Sequence, residues 1–167
     1  MASALAGNSG VYRADIRRPD LRVSFERFPA GAELEQQGWD EPEYAGVYRL
    51  MSVNGARPPF YWRSGTAEGA SLSEWLISGR VFVKEDRTWV VRLASGPVRS
   101  SMGEGHITLL QGSWAPAMPG QLAVRTSDGS AASWLANGRS LLIRGCIAPP
   151  DAGAGLVSVT LRFARWR

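Results

Sequence analysis

Three chemically versatile residue types are almost missing from the 167-residue sequence, which holds one cysteine, one histidine and one lysine. A single cysteine, Cys146, rules out an internal disulfide and a thiolate cluster around a structural metal. His106 is the only histidine, so neither a histidine metal site nor a paired nucleophile and histidine is indicated. We interpret Cys146 as a buried, unreactive thiol and His106 as an ordinary surface residue.

The short motifs that mark many enzyme sites are also missing. The sequence contains no Gly-x-Gly-x-x-Gly or Gly-Lys-Ser/Thr phosphate loop, no Gly-x-Ser-x-Gly nucleophile elbow and no calcium loop of the EF-hand type. The acidic residues between positions 33 and 43 are interpreted as solvated charges rather than as paired catalytic carboxylates. We therefore predict that the protein is not an enzyme and that it uses no cofactor and no metal.

Long hydrophobic runs are absent as well. No apolar run approaches the ~20 residues that cross a bilayer as a helix. The opening residues, MASALAGNSG, lack the basic start and the longer apolar stretch of a signal peptide. We expect a soluble protein, intracellular or part of a virion, in which residues 1–9 form a flexible or partner-bound arm and residues 10–167 form a single β domain.

Arginine dominates the basic residues, because Lys84 is the only lysine among nineteen positive side chains. The charge is unevenly distributed: residues 1–86 hold ten basic and twelve acidic residues, whereas residues 87–167 hold nine basic and three acidic residues. A GC-rich genome would explain the arginine bias, and so would a surface that binds carboxylates or phosphates. The asymmetry suits head-to-tail packing of identical subunits as well as it suits a nucleic-acid partner.

Strand patterns fill most of the sequence. The segment GLVSVTLRFARW alternates apolar and polar residues with a period of two, as LRVSFERF does near the other end, and KEDRT at 84–88 separates two strand-like runs as a hairpin turn would. About ten short strands at regular spacing indicate an antiparallel all-β domain. We predict a β-sandwich, or a jelly-roll or barrel, with two or three very short helices.

One pattern occurs twice, as SLSEWLISGR at 71–80 and as SAASWLANGR at 130–139. Each copy begins with a serine that can cap a helix and closes with Gly-Arg, so we predict a helix of about two turns in each, with a hairpin as the alternative. Trp75 and Trp134 would then occupy equivalent, buried positions at the ends of the sheet core.

The match between the two copies allows an internal duplication with units of about 46–105 and 106–167. A third short helix is predicted for AELEQQG at 32–38, which ends in glycine. Short matches also arise by chance in a biased composition, so the duplication stays an open hypothesis.

Aromatic residues beside arginine give the candidate binding residues. The strand-like FYWR directs Tyr61 and Arg63 to the face opposite its other two residues, and RFARWR surrounds Trp166 with arginines. Such clusters are typical of interface hot spots, and they also stack sugars or bases. The predicted binding residues are Tyr61, Arg63, Arg162, Arg165, Trp166 and Arg167.

From these observations we predict a non-catalytic structural or assembly subunit. It would bind other protein chains, including copies of itself, in a large complex such as a virion. A carbohydrate-binding β-sandwich and a nucleic-acid-binding protein that uses the basic second half of the sequence are the alternatives.

Overall fold

The computed structural model describes residues 21–32, 34–35, 42–67, 70–96, 106–148 and 156–166, without the side chains of 62–67, 70–74 and 106. These residues form ten strands and no helix. The strands are β1 (Arg22–Phe25), β2 (Gly46–Val53), β3 (Phe60–Ala67), β4 (Ala70–Val83), β5 (Thr88–Gly96), β6 (His106–Met118), β7 (Gln121–Thr126), β8 (Ala131–Ala136), β9 (Ser140–Ala148) and β10 (Val157–Arg165).

Eight of the strands form a closed antiparallel barrel. The order β2-β4-β5-β6-β7-β8-β9-β10 follows hydrogen-bonded neighbours, and β10 returns to pair with β2. The all-β, antiparallel prediction is therefore confirmed. The sheet closes on itself as a barrel, so the alternatives of a sandwich or a jelly-roll, which need two packed sheets, are not what the chain forms.

The two other strands extend the barrel at its margins. The strand β3 pairs with the first half of β4, while β2 pairs with the second half, so the β3–β4 hairpin continues beyond the barrel wall. The strand β1 pairs with the last four residues of β9, where β8 no longer reaches. Glu26 continues this seam by donating its N–H to the Arg144 carbonyl at 2.8 Å.

The alternating pattern places apolar side chains inside the barrel. In β10, Val159, Leu161 and Phe163 are buried, whereas Ser158 and Arg162 on the alternate row are exposed. This confirms the core face that the sequence predicts for this strand. The turn predicted at 84–88 is also confirmed, because it joins β4 to β5.

Large aromatic residues fill the interior. The rings of Trp89 and Trp134 lie 4.9 Å apart between centroids, and Phe25 from β1 packs edge-on against both. Gly112 makes room for this cluster, since a Cβ there would lie 1.9 Å from the Arg125 carbonyl oxygen and 2.7 Å from the Trp89 ring. An eight-stranded barrel has an interior about wide enough for side chains, and here bulky side chains occupy it.

The predicted helices at 71–80 and 130–139 are wrong. Residues 71–80 lie inside β4, where β3 pairs with the backbone up to Leu76 and β5 pairs with it from Trp75 onward. These pairings supply the hydrogen bonds that a helix would have formed within itself. Gly79 is there for packing rather than for a turn, because a Cβ would lie 2.9 Å from the Leu93 side chain.

The second copy has a different local structure. Residues 131–136 form β8, and Asn137 and Gly138 form the turn into β9, as in the hairpin alternative. The Asn137 side-chain oxygen accepts hydrogen bonds from the N–H groups of Arg139 and Ser140, and Gly138 has a φ of +86°. Both copies are therefore strands up to their Trp-Leu pair, and they differ at Ser78-Gly79, which continues β4, and at Asn137-Gly138, which turns.

Two further predictions concern the N-terminal arm and the short helix near residue 35. The predicted arm at 1–9 lies outside the described residues, and so does most of the helix predicted at 32–38. Its described positions, 32, 34 and 35, are not helical.

The two tryptophans of the repeated pattern should differ in their contribution to stability. Trp134 is fully buried, so we expect Trp134→Ala to lower the free energy of unfolding by about 3–5 kcal/mol. Trp75 is half-buried, so Trp75→Ala should cost less than about 2 kcal/mol. Urea denaturation of both variants measures the difference, and equal losses would contradict these positions.

Candidate functional site

Three arginines stand side by side on the outer surface of the barrel. Arg49 in β2 pairs with Arg80 in β4, and Arg80 pairs in turn with Arg92 in β5. Ala164 of β10 and Leu109 of β6 flank the three at either end. We call Arg49, Arg80 and Arg92 the arginine row.

The arginine row concentrates positive charge, and no described acidic side chain forms an ion pair with it. Directly opposed residues in an antiparallel pair have Cα atoms about 4.5–5.5 Å apart, and like charges at such positions are destabilising. The sequences of β2, β5, β6 and β10 contain no Asp or Glu, and β4 has none after Glu74. Among the described residues, the one ion pair joins Arg144 to Glu26 at 3.9 Å, away from the row. An anionic partner would relieve this repulsion.

A second row, of apolar side chains, runs beside the first. Trp166 donates its backbone N–H to the Val47 carbonyl at 2.7 Å, and the register continues through Phe82 to Val90. We call Val47, Phe82, Val90 and Trp166 the apolar row. The two rows are linked, because the Arg80 guanidinium lies 4.3 Å from the centre of the Trp166 ring.

Exposed aliphatic residues complete this surface. Leu109 is 64% exposed, and Met51 and Ile107 are each more than two-fifths exposed. All three point outward on β2 or β6, as the alternation of each strand requires. We define the outer arginine face as the arginine row, the apolar row and these three residues.

Arg165, which was predicted to bind a partner, instead forms hydrogen bonds within its own chain. Its Nε donates to the Gly138 carbonyl at 2.5 Å, its Nη1 donates to the Ala45 carbonyl at 2.8 Å, and its Nη2 donates to the Glu43 carbonyl. These carbonyls come from two segments far apart in sequence. The guanidinium therefore holds these two segments together at the rim of the barrel, and we call this set of hydrogen bonds the rim fastening.

The buried Tyr48 side chain links the rim fastening to the core through a hydrogen bond with Arg165. Its hydroxyl accepts a hydrogen bond from the Arg165 Nη2 at 3.2 Å and donates to the Tyr44 carbonyl at 2.7 Å. Burial raises the pKa of Tyr48, although the nearby Arg165 opposes the rise. The hydroxyl thus keeps its proton, and with it the bond to Tyr44, at neutral pH.

Of the other predicted binding residues, the structure describes the side chains of Trp166, Arg162 and Tyr61. Trp166 is 47% exposed beside Arg80, and Arg162 is exposed on β10. Tyr61 is 44% exposed and packs edge-on against Trp75 near the middle of β4, about 20 Å from the apolar row at ~3.3 Å per residue. The side chain of Arg63 and all of Arg167 lie outside the described part of the chain.

The arginine row itself was not predicted from the sequence. Each member sits at an outward position between inward apolar residues, in VYRL, GRVF and VVRL. That pattern indicates exposed arginines on three strands. Their alignment depends on which residues pair across the strands, and the sequence alone does not fix that register.

Comparisons with known proteins assign no family: no family model matches the sequence, and no curated protein matches it. The described residues contain no group of three or more His, Cys, Asp or Glu side chains that could hold a metal ion. Within the same residues no helix is long and apolar enough to cross a membrane.

Removal of the rim fastening should destabilise the barrel. We expect Arg165→Met to lower the free energy of unfolding by about 2–3 kcal/mol, because three carbonyl groups lose a charged hydrogen-bond donor. Arg162→Met, on the same strand but exposed, is the matched control and should change it by less than about 0.5 kcal/mol. Similar losses in the two variants would show that Arg165 has no special role.

Neutralising one member of the arginine row should not destabilise the protein, in contrast to the replacement of Arg165. We expect Arg92→Gln to leave the free energy of unfolding unchanged or to raise it by up to about 0.5 kcal/mol at low salt, since one like-charge neighbour of Arg80 is removed. The gain should disappear near 1 M salt, where the screening length is about 3 Å. Arg139→Gln, exposed elsewhere, is the control. A loss above about 1 kcal/mol would mean that Arg92 stabilises the fold.

Proposed function

We propose that the protein is a non-catalytic assembly subunit that binds another protein chain through its outer arginine face. The observation that carries this proposal is the arginine row: three directly opposed arginines, with no Asp or Glu in β2, β5, β6 or β10 and none in β4 after Glu74. Such an arrangement costs stability in the free protein. Carboxylates of a partner would offset that cost on binding, and they would also set orientation and association rate.

The composition of the face supports a protein partner. Interface centres are enriched in aromatic residues, methionine and arginine, and binding energy concentrates in buried Trp, Tyr and Arg. Here Trp166 lies against Arg80, with exposed Leu109 and Ile107 farther along the same surface. Aliphatic side chains gain by burial against protein and offer little to a phosphate backbone. A large assembly such as a virion is a suitable setting, with a different protein or a second copy as the neighbour.

Nucleic acid is the second candidate function, because an arginine row beside Trp166 could also hold phosphates while a base stacks on the indole. Three or four phosphate contacts would give a salt dependence with a slope of about −2 to −4 in a plot of log affinity against log salt. The carbohydrate alternative has weaker support. The exposed Tyr61 meets Trp75 edge-on, so the two rings do not form one flat platform.

Site-specific photo-crosslinking tests the proposal in the cells that make the protein. A photoreactive residue replaces Leu109 in the outer arginine face, or Ala123 on the exposed side of β7 as the control position. We expect a discrete protein adduct from position 109 and none from 123. The adduct should disappear in the Arg49→Gln, Arg80→Gln, Arg92→Gln triple variant.

A second triple variant controls for net charge. Arg22, Arg27 and Arg139 are exposed and lie outside the face, so their replacement by Gln removes the same charge and should leave the adduct intact. An adduct that forms mainly with nucleic acid, or that is insensitive to the arginine row, would overturn the proposed function. Sedimentation of the purified protein then shows whether the adduct is a second copy.

A further inference from the structure

We infer that the partner presents an acidic, amphipathic α-helix that lies across the strands of the outer arginine face, an inference that rests on the proposed function. The first observation is the direction of the arginine row relative to the strands. The arginine row follows the hydrogen-bonding direction of the sheet, from β2 through β4 to β5, and the apolar row runs parallel to it two residues farther along each strand. A segment that contacts every member of one row must therefore cross the strands.

The second observation is that the backbone at this place is fully paired. Arg49 has strand partners in β10 and β4, Arg80 has them in β2 and β5, and Arg92 has them in β4 and β6. A partner therefore cannot add a strand here and must bind through side chains. An extended segment lying across the strands would leave its own N–H and C=O groups unpaired in the contact. A helix satisfies those groups internally.

The spacing agrees with this choice. Neighbouring strands are about 4.8 Å apart, so the arginines of the row lie at roughly 0, 5 and 10 Å. Carboxylates at positions i, i+3 or i+4, and i+7 of a helix recur at about 0, 5 and 10.5 Å along its axis. Alternate residues of an extended chain recur at about 6.7 and 13 Å, so the third would fall beyond the third arginine.

The apolar row supplies the second half of the recognition. It lies about 6.7 Å from the arginine row, close enough for adjacent stripes of one helix to contact both. Trp166 stands at one end of this row with nearly half of its surface free. Leucine-like residues beside the acidic stripe would cover Trp166 and Phe82, while the arginines form forked hydrogen bonds to the carboxylates.

Synthetic peptides test the inference on the whole protein. The first peptide carries Glu at i, i+4 and i+7 with a neighbouring leucine stripe. The second is the same peptide with one proline at a central solvent-facing position, which breaks the helix, and the third has the same composition with Glu at alternate positions. A fluorescent label allows anisotropy titration of each peptide, and of a twenty-nucleotide poly-dT, at two salt concentrations.

We expect the helical peptide to bind at least tenfold more tightly than the proline and alternating peptides. The Arg49, Arg80 and Arg92 triple Gln variant should lose at least tenfold in affinity for it, whereas the Arg22, Arg27 and Arg139 control should bind as the parent protein does. Circular dichroism of the mixture should show a gain of helix on binding.

The other outcomes separate the two proposals. Equal affinities for all three peptides, still dependent on the arginine row, would overturn the helix and leave an acidic protein partner in place. If no peptide binds while the crosslink from position 109 still forms, the helix is likewise overturned and the protein-binding function remains. Tighter binding of poly-dT than of any peptide, abolished in the row variant, would overturn both the helix and the protein-binding function.

Discussion

The pairing of β2 with β10 is the interaction on which the rest of the structure depends. It joins Gly46–Val53 to Val157–Arg165 and converts a row of strands into a closed barrel. Without it, both strands would present free edges, which invite pairing with other chains. Arg165 secures the closure, since its guanidinium bonds to carbonyl groups of Glu43, Ala45 and Gly138 next to the joined strands.

Closure also decides which surface is available for binding. Trp89, Trp134 and Phe163 fill the interior, so the inner side of these strands serves stability. The strands around the arginine row are paired on both edges, which leaves outward side chains as the means of recognition. The same residue type thus has two uses. Arg165 hydrogen-bonds to its own chain at the rim, whereas the arginines of the row lie beside one another on the outer surface, with Trp166 against Arg80.

The strands and their core faces could be predicted from the sequence because a period of two is a local signal. The turn at 84–88 and the inward row of β10 follow from it directly. The helix at 71–80 was wrong because a serine cap and a C-terminal glycine are local preferences, and pairing with both β3 and β5 overrides them. Asn137-Gly138 carries a stronger turn signal than Ser78-Gly79, and Gly138 adopts the positive φ that such a turn needs.

The candidate site could not be predicted in the same way. The role of Arg165 depends on which segments meet at the rim, because the carbonyl groups that it binds belong to Glu43, Ala45 and Gly138, far from it in the sequence. The arginine row depends on three separate pairings between strands. In both cases the deciding information is the alignment of distant residues, which no property of a short segment encodes.

The closure of the barrel also determines the order in which its strands can pair while the ribosome synthesises the chain. The strands from β4 to β9 pair with their successors in the sequence, so each hairpin can form soon after it emerges. The strand β2 must wait for β10, more than a hundred residues later, and until then one of its edges is unpaired. Contacts of such long sequence separation form slowly, and nascent chains with open edges aggregate readily. The interval between translation of β2 and translation of Arg165 is therefore when a growing chain is most vulnerable, and when a chaperone would protect it most.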